Sequence, residues 1–172
     1  MSQKRILMLI AQHDFRDEEY EIPKEVFAQS GFEVKTASER RGEAKGKIDA
    51  ITHVDFSFHE INIHDYDVLV FIGGTGISHY FHDEELLTLA REGFAEGKII
   101  AAICYAPTVL ANAGILQGKR VTAHEDQHET LVQKGAQYTG MSVEVDGNII
   151  TANGPKAAHE FAEKIVEMLS AK

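Results

Sequence analysis

The only cysteine of the chain ends an apolar run, in Lys98-Ile99-Ile100-Ala101-Ala102-Ile103-Cys104-Tyr105-Ala106-Pro107-Thr108-Val109-Leu110-Ala111. An apolar run of this kind reads as a buried parallel strand, and Pro107 suits the first turn of a helix. Cys104 is thereby placed on a strand-to-helix turn. Its thiol would project towards helix N–H groups that lower a thiol's pKa and can bind an oxyanion. The geometry is that of a nucleophile elbow, although the surrounding residues are not Gly-x-Ser-x-Gly. A lone free cysteine is also among the residues most often buried as inert packing, so its neighbours must decide.

Three other chemically marked groups fall at strand ends. Gly73-Gly74-Thr75-Gly76 follows the apolar Asp67-Val68-Leu69-Val70-Phe71-Ile72, and paired glycines expose backbone N–H groups to whatever approaches them. The spacing does not complete G-x-G-x-x-G, so a phosphate site is not implied. The stretch Gln12 to Tyr20 carries Asp14, Asp17, Glu18 and Glu19 after the first apolar run. Such crowding can hold one carboxylate protonated, while the others suit a solvated first helical turn. His124 ends the strand-like Arg120-Val121-Thr122-Ala123. Together these meet the needs of carbonyl chemistry: a thiolate attacks, the N–H groups of Gly74 and Tyr105 hold the oxyanion, and the acid or histidine moves protons.

His124-Glu125-Asp126-Gln127-His128 also matches H-E-x-x-H. That zinc signature needs both histidines on one helix, and here the first follows a strand directly, so no metal is expected. His59, His64, His79 and His82 show no metal spacing and read as surface residues.

The elements that must position these groups alternate. Ile6 to Ala11, Phe32 to Ala37, Asp67 to Ile72 and Ile99 to Ile103 read as strands. Helical patterns follow Pro23, span Asp83 to Gly97, run from Pro107 to Gly114 and from Glu129 to Lys134, and close the chain after Gly154-Pro155. Ser38 to Gly46 is charged and reads as a loop. Ile48 to Ile51 with His53 to Phe58 suggests a short strand pair or an extended edge, and Ile61 to Tyr66 a short helical turn. Ser142 to Val145 and Asn148 to Ala152 form a hairpin turning at Asp146-Gly147. Strands alternating with helices imply an α/β fold with a doubly wound, mostly parallel sheet, whose ligands bind at the carboxyl ends of the strands.

Composition bounds the function. The 172 residues are 44% hydrophobic, enough for one buried core, so a single domain over residues 1–172 is expected. A formal charge of -10 with scattered basic residues argues against a nucleic-acid partner. One cysteine excludes an internal disulfide, and no run approaches the length of a membrane span. With no targeting segment to read, the expected location is the cytoplasm.

The combination of Ala102-Ile103-Cys104-x-x-Pro107, Gly73-Gly74 after a buried strand, Glu19 four residues before Pro23, His124 twenty residues beyond the cysteine, Asp146 to Thr151 and Gly154-Pro155 resembles the ThiJ/PfpI superfamily over nearly the whole chain. The resemblance implies a flavodoxin-like α/β sandwich with helices on both faces, a homodimer or higher homo-oligomer, and no cofactor. It implies Cys104 as nucleophile, a protonated Glu19 as its partner, and Gly74 and Tyr105 as oxyanion donors. His124 falls where the parkinsonism-associated deglycase branch has a histidine. The residue pattern by itself leaves Glu18 and Glu19 open, since a one-residue slip exchanges their directions.

Departures narrow the activity. PfpI-type intracellular peptidases carry a histidine after the nucleophile and a glutamate from a neighbouring subunit, whereas this chain has Tyr105 and, in the loop after Gly74, Ser78. The expectation is therefore a glutathione-independent glyoxalase or deglycase acting on small aldehydes or glycated substrates. The alternatives are a redox-sensing stress protein or chaperone that oxidises Cys104 to a sulfinate, and the weakened peptidase.

Overall fold

The computed structural model describes residues 2–172. In chain order its elements are β1 (Arg5–Leu9), β2 (His13–Phe15), α1 (Asp17–Gln29), β3 (Glu33–Ser38), β4 (Gly42–Gly46), β5 (Ile51–Val54), β6 (Phe56–Ser57), β7 (Val68–Phe71), α2 (Glu84–Ala95), β8 (Ile99–Ile103), α3 (Pro107–Asn112), β9 (Arg120–Val121), α4 (His128–Gln133), β10 (Gln137–Tyr138), β11 (Val143–Asp146), β12 (Ile149–Ala152) and α5 (Ala158–Ser170).

Four apolar strands build the centre because each is buried on both sides, which is what an unbroken aliphatic run requires. The main sheet has the order β11-β12-β8-β7-β1-β3-β6, and every pairing is parallel except β11 with β12. Alternate residues face opposite layers. Ile6, Met8 and Ile10 pack with Phe27 of α1 and with Phe161 and Ile165 of α5. Leu7 and Leu9 pack with Leu86 and Leu87 of α2 and with Val109 and Leu110 of α3. The result is a flavodoxin-like α/β sandwich: the alternating elements predicted its doubly wound, mostly parallel sheet, and the resemblance implied the sandwich. The chain order reverses between β1 and β7, so the crevice at their carboxyl ends is the place such sheets offer a ligand.

Several local readings change. The acidic stretch is helical from Asp17, and Pro23 lies inside α1 rather than opening it. The charged segment after Ser38 contains a strand, β4, which pairs antiparallel with β5 and parallel with β2. β5 and β6 do not pair with each other, since β6 joins the main sheet beside β3. β9 is only two residues long and pairs with β10 outside the main sheet. In the hairpin, Asp146 pairs with Ile149, so Gly147 and Asn148 make the turn, Gly147 at φ +60°.

The small β2-β4-β5 sheet is fastened to α1 by Asp17. Its buried carboxylate accepts from the backbone N–H groups of Ile48 (3.1 Å), Asp49 (2.8 Å) and Ala50 (2.7 Å). Burial alone would raise its pKa, but those donors outweigh burial and hold it below the usual carboxylate value. Asp17→Ala is expected to lower the free energy of unfolding by roughly 2–4 kcal/mol, read from urea melts at neutral pH. A depressed folded pKa stabilises above the unfolded value of 3.8 and is lost as pH falls through the folded one, so the two proteins should converge in acid.

Candidate active site

β8 ends at Ile103, and the next residue, Cys104, has φ +65°. A left-handed backbone costs a non-glycine residue roughly 1–2 kcal/mol, so the surroundings must impose it. They do so through the peptide groups on either side of the residue. Cys104 N–H donates to the Ala152 carbonyl at 2.9 Å, and its carbonyl accepts from His124 N–H at 2.9 Å. The thiol is thereby held at the rim of the sheet, 5% exposed.

Glu19 comes to this sulfur from the first turn of α1. Its side chain is 0% exposed, and neither carboxyl oxygen finds a partner at full hydrogen-bond geometry; the groups facing it are the Cys104 thiol and the Gly73 N–H. Gly73 must be glycine here, because a Cβ would lie 2.6 Å from both Glu19 Oε1 and Cys104 Cβ. Glu18 points the other way and pairs with Arg16 at 2.8 Å. The choice the residue pattern left open is thus made by the helix: successive residues diverge by about 100° around its axis, and only one can face the sheet.

Burial pushes Glu19 up to about 8, against the opposing pull of the thiol contact, Arg16 and the Gly73 N–H. Burial also pushes Cys104 up, to about 12, with the neighbouring Glu19 adding to it and the N–H groups of Gly74 and Tyr105 opposing it. Both protons are therefore in place at neutral pH. Above about pH 8 a single proton remains between carboxyl and sulfur. Burial raises the thiol above its ordinary value, against the lowering that backbone N–H groups at a helix start exert.

Gly74 and Tyr105 both present their backbone N–H to the sulfur. Gly74 has φ +102°, and a Cβ there would lie 2.6 Å from the Asp14 carbonyl oxygen and press against Arg16 N. The Tyr105 side chain turns outward. Its hydroxyl donates to Asp126 Oδ2 at 2.6 Å, which, with burial, pushes the phenol up to about 12.

His124 stands at the edge of this group rather than in it. Its Nδ1 accepts from Asp126 N–H at 3.1 Å, and its ring meets the Tyr105 ring edge-on at 5.0 Å between centroids. With Nδ1 an acceptor, the neutral ring carries its proton on Nε2. His124 also borders a surface pocket of about 370 Å³, with Ala123, Glu125, Tyr138, Asn153 and Lys156. His128 stacks on Tyr138 at 4.1 Å and opens α4, whereas His124 caps the 3₁₀ turn before it, so the two histidines share no helical face. Among the described residues no cluster of His, Cys, Asp or Glu side chains has the geometry to hold a metal ion.

The structure thus brings Cys104, Glu19, Gly74 and Tyr105 together and leaves His124 hydrogen-bonded to Asp126. Residue patterns did not single out Arg16 or Asp126. Asp126 was hidden inside the H-E-x-x-H match. Arg16 acts on the site through its charge and through a main-chain hydrogen bond, and the latter leaves no mark on residue identity.

Comparison with known proteins finds matches over nearly the whole chain. The family model for the DJ-1/PfpI family matches residues 4–168. A deglycase of Pyrococcus abyssi is 32% identical over 96% of this chain and 99% of its own. A glutathione-independent glyoxalase of Caenorhabditis elegans is 30% identical over 98% of this chain and 90% of its own. Among solved structures, a ThiJ/PfpI domain protein from Brachyspira murdochii superposes with a TM-score of 0.97 at 32% identity, covering 99% of each chain.

Proposed function

Because the chain belongs to the DJ-1/PfpI family, we propose that it is an enzyme of cysteine-dependent carbonyl chemistry, acting on small α-oxoaldehydes or their adducts in the manner of a glutathione-independent glyoxalase or deglycase. One observation carries the reading: a fully buried carboxyl group without a regular hydrogen-bond partner faces a strained, nearly buried cysteine. Burying such a group costs stability, and titratable groups perturbed in this way cluster at functional sites.

The chemistry follows from the positions. Sγ adds to the aldehyde carbon as the thiol passes its proton to the unprotonated oxygen of the Glu19 carboxyl, which gives up its own proton in turn, and the negative charge developing on the carbonyl oxygen is in reach of the Gly74 and Tyr105 N–H groups. Glu19, raised to about 8, can return a proton to that oxygen near neutral pH, which gives a hemithioacetal. For an α-oxoaldehyde, Glu19 then carries a proton from the thiol-bearing carbon to the adjacent carbonyl carbon, while the hydroxyl proton on the thiol-bearing carbon passes to the adjacent oxygen; His124, whose Nε2 holds a proton, can give one to that oxygen but not take one from carbon. A thioester of the 2-hydroxy acid is left. Water cleaves the thioester and restores the thiol. The sum is aldehyde plus water to 2-hydroxy acid, with no oxidant needed.

Amide hydrolysis fits these residues less well. Tyr105 supplies no imidazole next to the nucleophile, its phenol is committed to Asp126, and the Ser78 hydroxyl donates to the Thr75 carbonyl at 2.6 Å. Incubating the purified protein with methylglyoxal, without glutathione, should yield lactate in equal amount to the aldehyde consumed, by proton NMR. A folded protein that leaves methylglyoxal unchanged from pH 6 to 9 would refute the proposal.

A further inference from the structure

Neither N–H group that faces Sγ is free to choose its direction. The Gly73 carbonyl accepts from Arg16 N–H at 3.0 Å. In a trans peptide the carbonyl and the following N–H point to opposite sides of one plane, and no cis bond occurs among the described residues. Fixing the Gly73 carbonyl on Arg16 therefore turns the Gly74 N–H towards Cys104. The second donor repeats the device, since the Cys104 carbonyl accepts from His124 N–H and the Tyr105 N–H leaves the opposite edge of that plane.

Arg16 reaches Gly73 because the chain bends sharply before it. Asp14 has φ +62°, which costs roughly 1–2 kcal/mol, and the bend is held from outside. Phe15 is buried, its carbonyl accepts from Lys47 N–H at 2.9 Å, and β2 pairs with β4. We propose that the backbone N–H of Arg16 is a positioning group for the reaction, with the β2-β4-β5 sheet as its mount: it clamps the Gly73–Gly74 peptide so that the Gly74 N–H is aimed at the developing oxyanion. This rests on the proposed role of Gly74 as an oxyanion donor.

The clamp can be removed without touching any side chain around the sulfur except that of Arg16. Arg16 has φ -77° and ψ 116° and follows an extended residue, a backbone that proline adopts without strain. As the N-cap residue its N–H serves no helical hydrogen bond, so beyond the side chain Arg16→Pro deletes that donor alone. Arg16→Ala loses the same side chain but keeps the donor. The other titratable groups around Sγ are Glu19 and Glu18 from α1, Tyr105 after the elbow, and His124 and Asp126 beyond it; all are identical in the two variants.

Turnover of methylglyoxal by Arg16→Pro should fall about 10- to 100-fold below that of Arg16→Ala, in kcat and not in KM, because an aimed donor is loosened rather than deleted. Alkylation of Cys104 by iodoacetamide should require higher pH in Arg16→Pro than in Arg16→Ala, the two sharing the loss of the guanidinium charge. A protein carrying lactic acid at position 16, an ester in place of the amide, should match Arg16→Pro even where the ring disturbs the start of α1. Equal kcat and equal alkylation profiles for the ester and Arg16→Ala proteins would overturn the clamp. Alkylation needs no aldehyde, so a wild-type protein inert to methylglyoxal removes the proposed function while the clamp is still read.

Discussion

Cys104→Ala is expected to abolish aldehyde conversion, lowering turnover by about 10³-fold or more, while the protein melts within a few degrees of wild type. The stability half of this expectation is as informative as the kinetic half. Alanine keeps the left-handed φ of +65° and the two backbone hydrogen bonds that impose it, to Ala152 and from His124, so the fold loses only the sulfur. Cys104→Gly should be equally inactive but more stable than Cys104→Ala by about 1 kcal/mol, because glycine pays nothing for that backbone. The strain would then be a cost borne for the direction of Sγ. Differential scanning calorimetry of the pair, beside lactate formation, checks both halves. Residual turnover in Cys104→Ala within tenfold of wild type would move the chemistry to another residue.

Why the sulfur was legible in the sequence, and its environment only partly so, is a matter of range. The aliphatic runs that became β1, β7 and β8 can be buried on both sides in only one kind of sheet, so the elbow and the Gly73-Gly74 turn fell at strand ends by necessity. α1 was misplaced because Pro23 suits a helix start, yet it sits two turns inside a helix that opens on Asp17. β4 is Gly-Glu-Ala-Lys-Gly, with nothing aliphatic beyond one alanine. Its strand character comes from partners on both sides, β2 and β5, and from the loop that Asp17 holds. A helix N-terminus is visible in sequence, whereas the depth of burial that raises the Cys104 thiol is not.

Glu19→Gln tests the other half of the pair, and its two readouts should move in opposite directions. The folded carboxyl titrates at about 8 against 4.5 when exposed, so between those values the native state holds a proton that the unfolded chain has released. Stability then falls as pH rises through this window, and the loss is complete above about 8. Glutamine carries no such proton, so its curve should lack this slope. The two proteins are expected to unfold at similar denaturant concentrations near pH 4.5, and Glu19→Gln to become the more stable by on the order of 3–5 kcal/mol at pH 8 and above, a figure that relaxation around the charge would reduce. Turnover should fall by about 10²–10⁴-fold, because the amide can neither take the thiol's proton nor return one to the oxyanion. A variant that is both less stable than wild type at pH 8 and fully active would mean that Glu19 is held by contacts other than those described and serves packing alone. Gain of stability with loss of activity is what a carboxyl kept for chemistry, at the expense of the fold, must give.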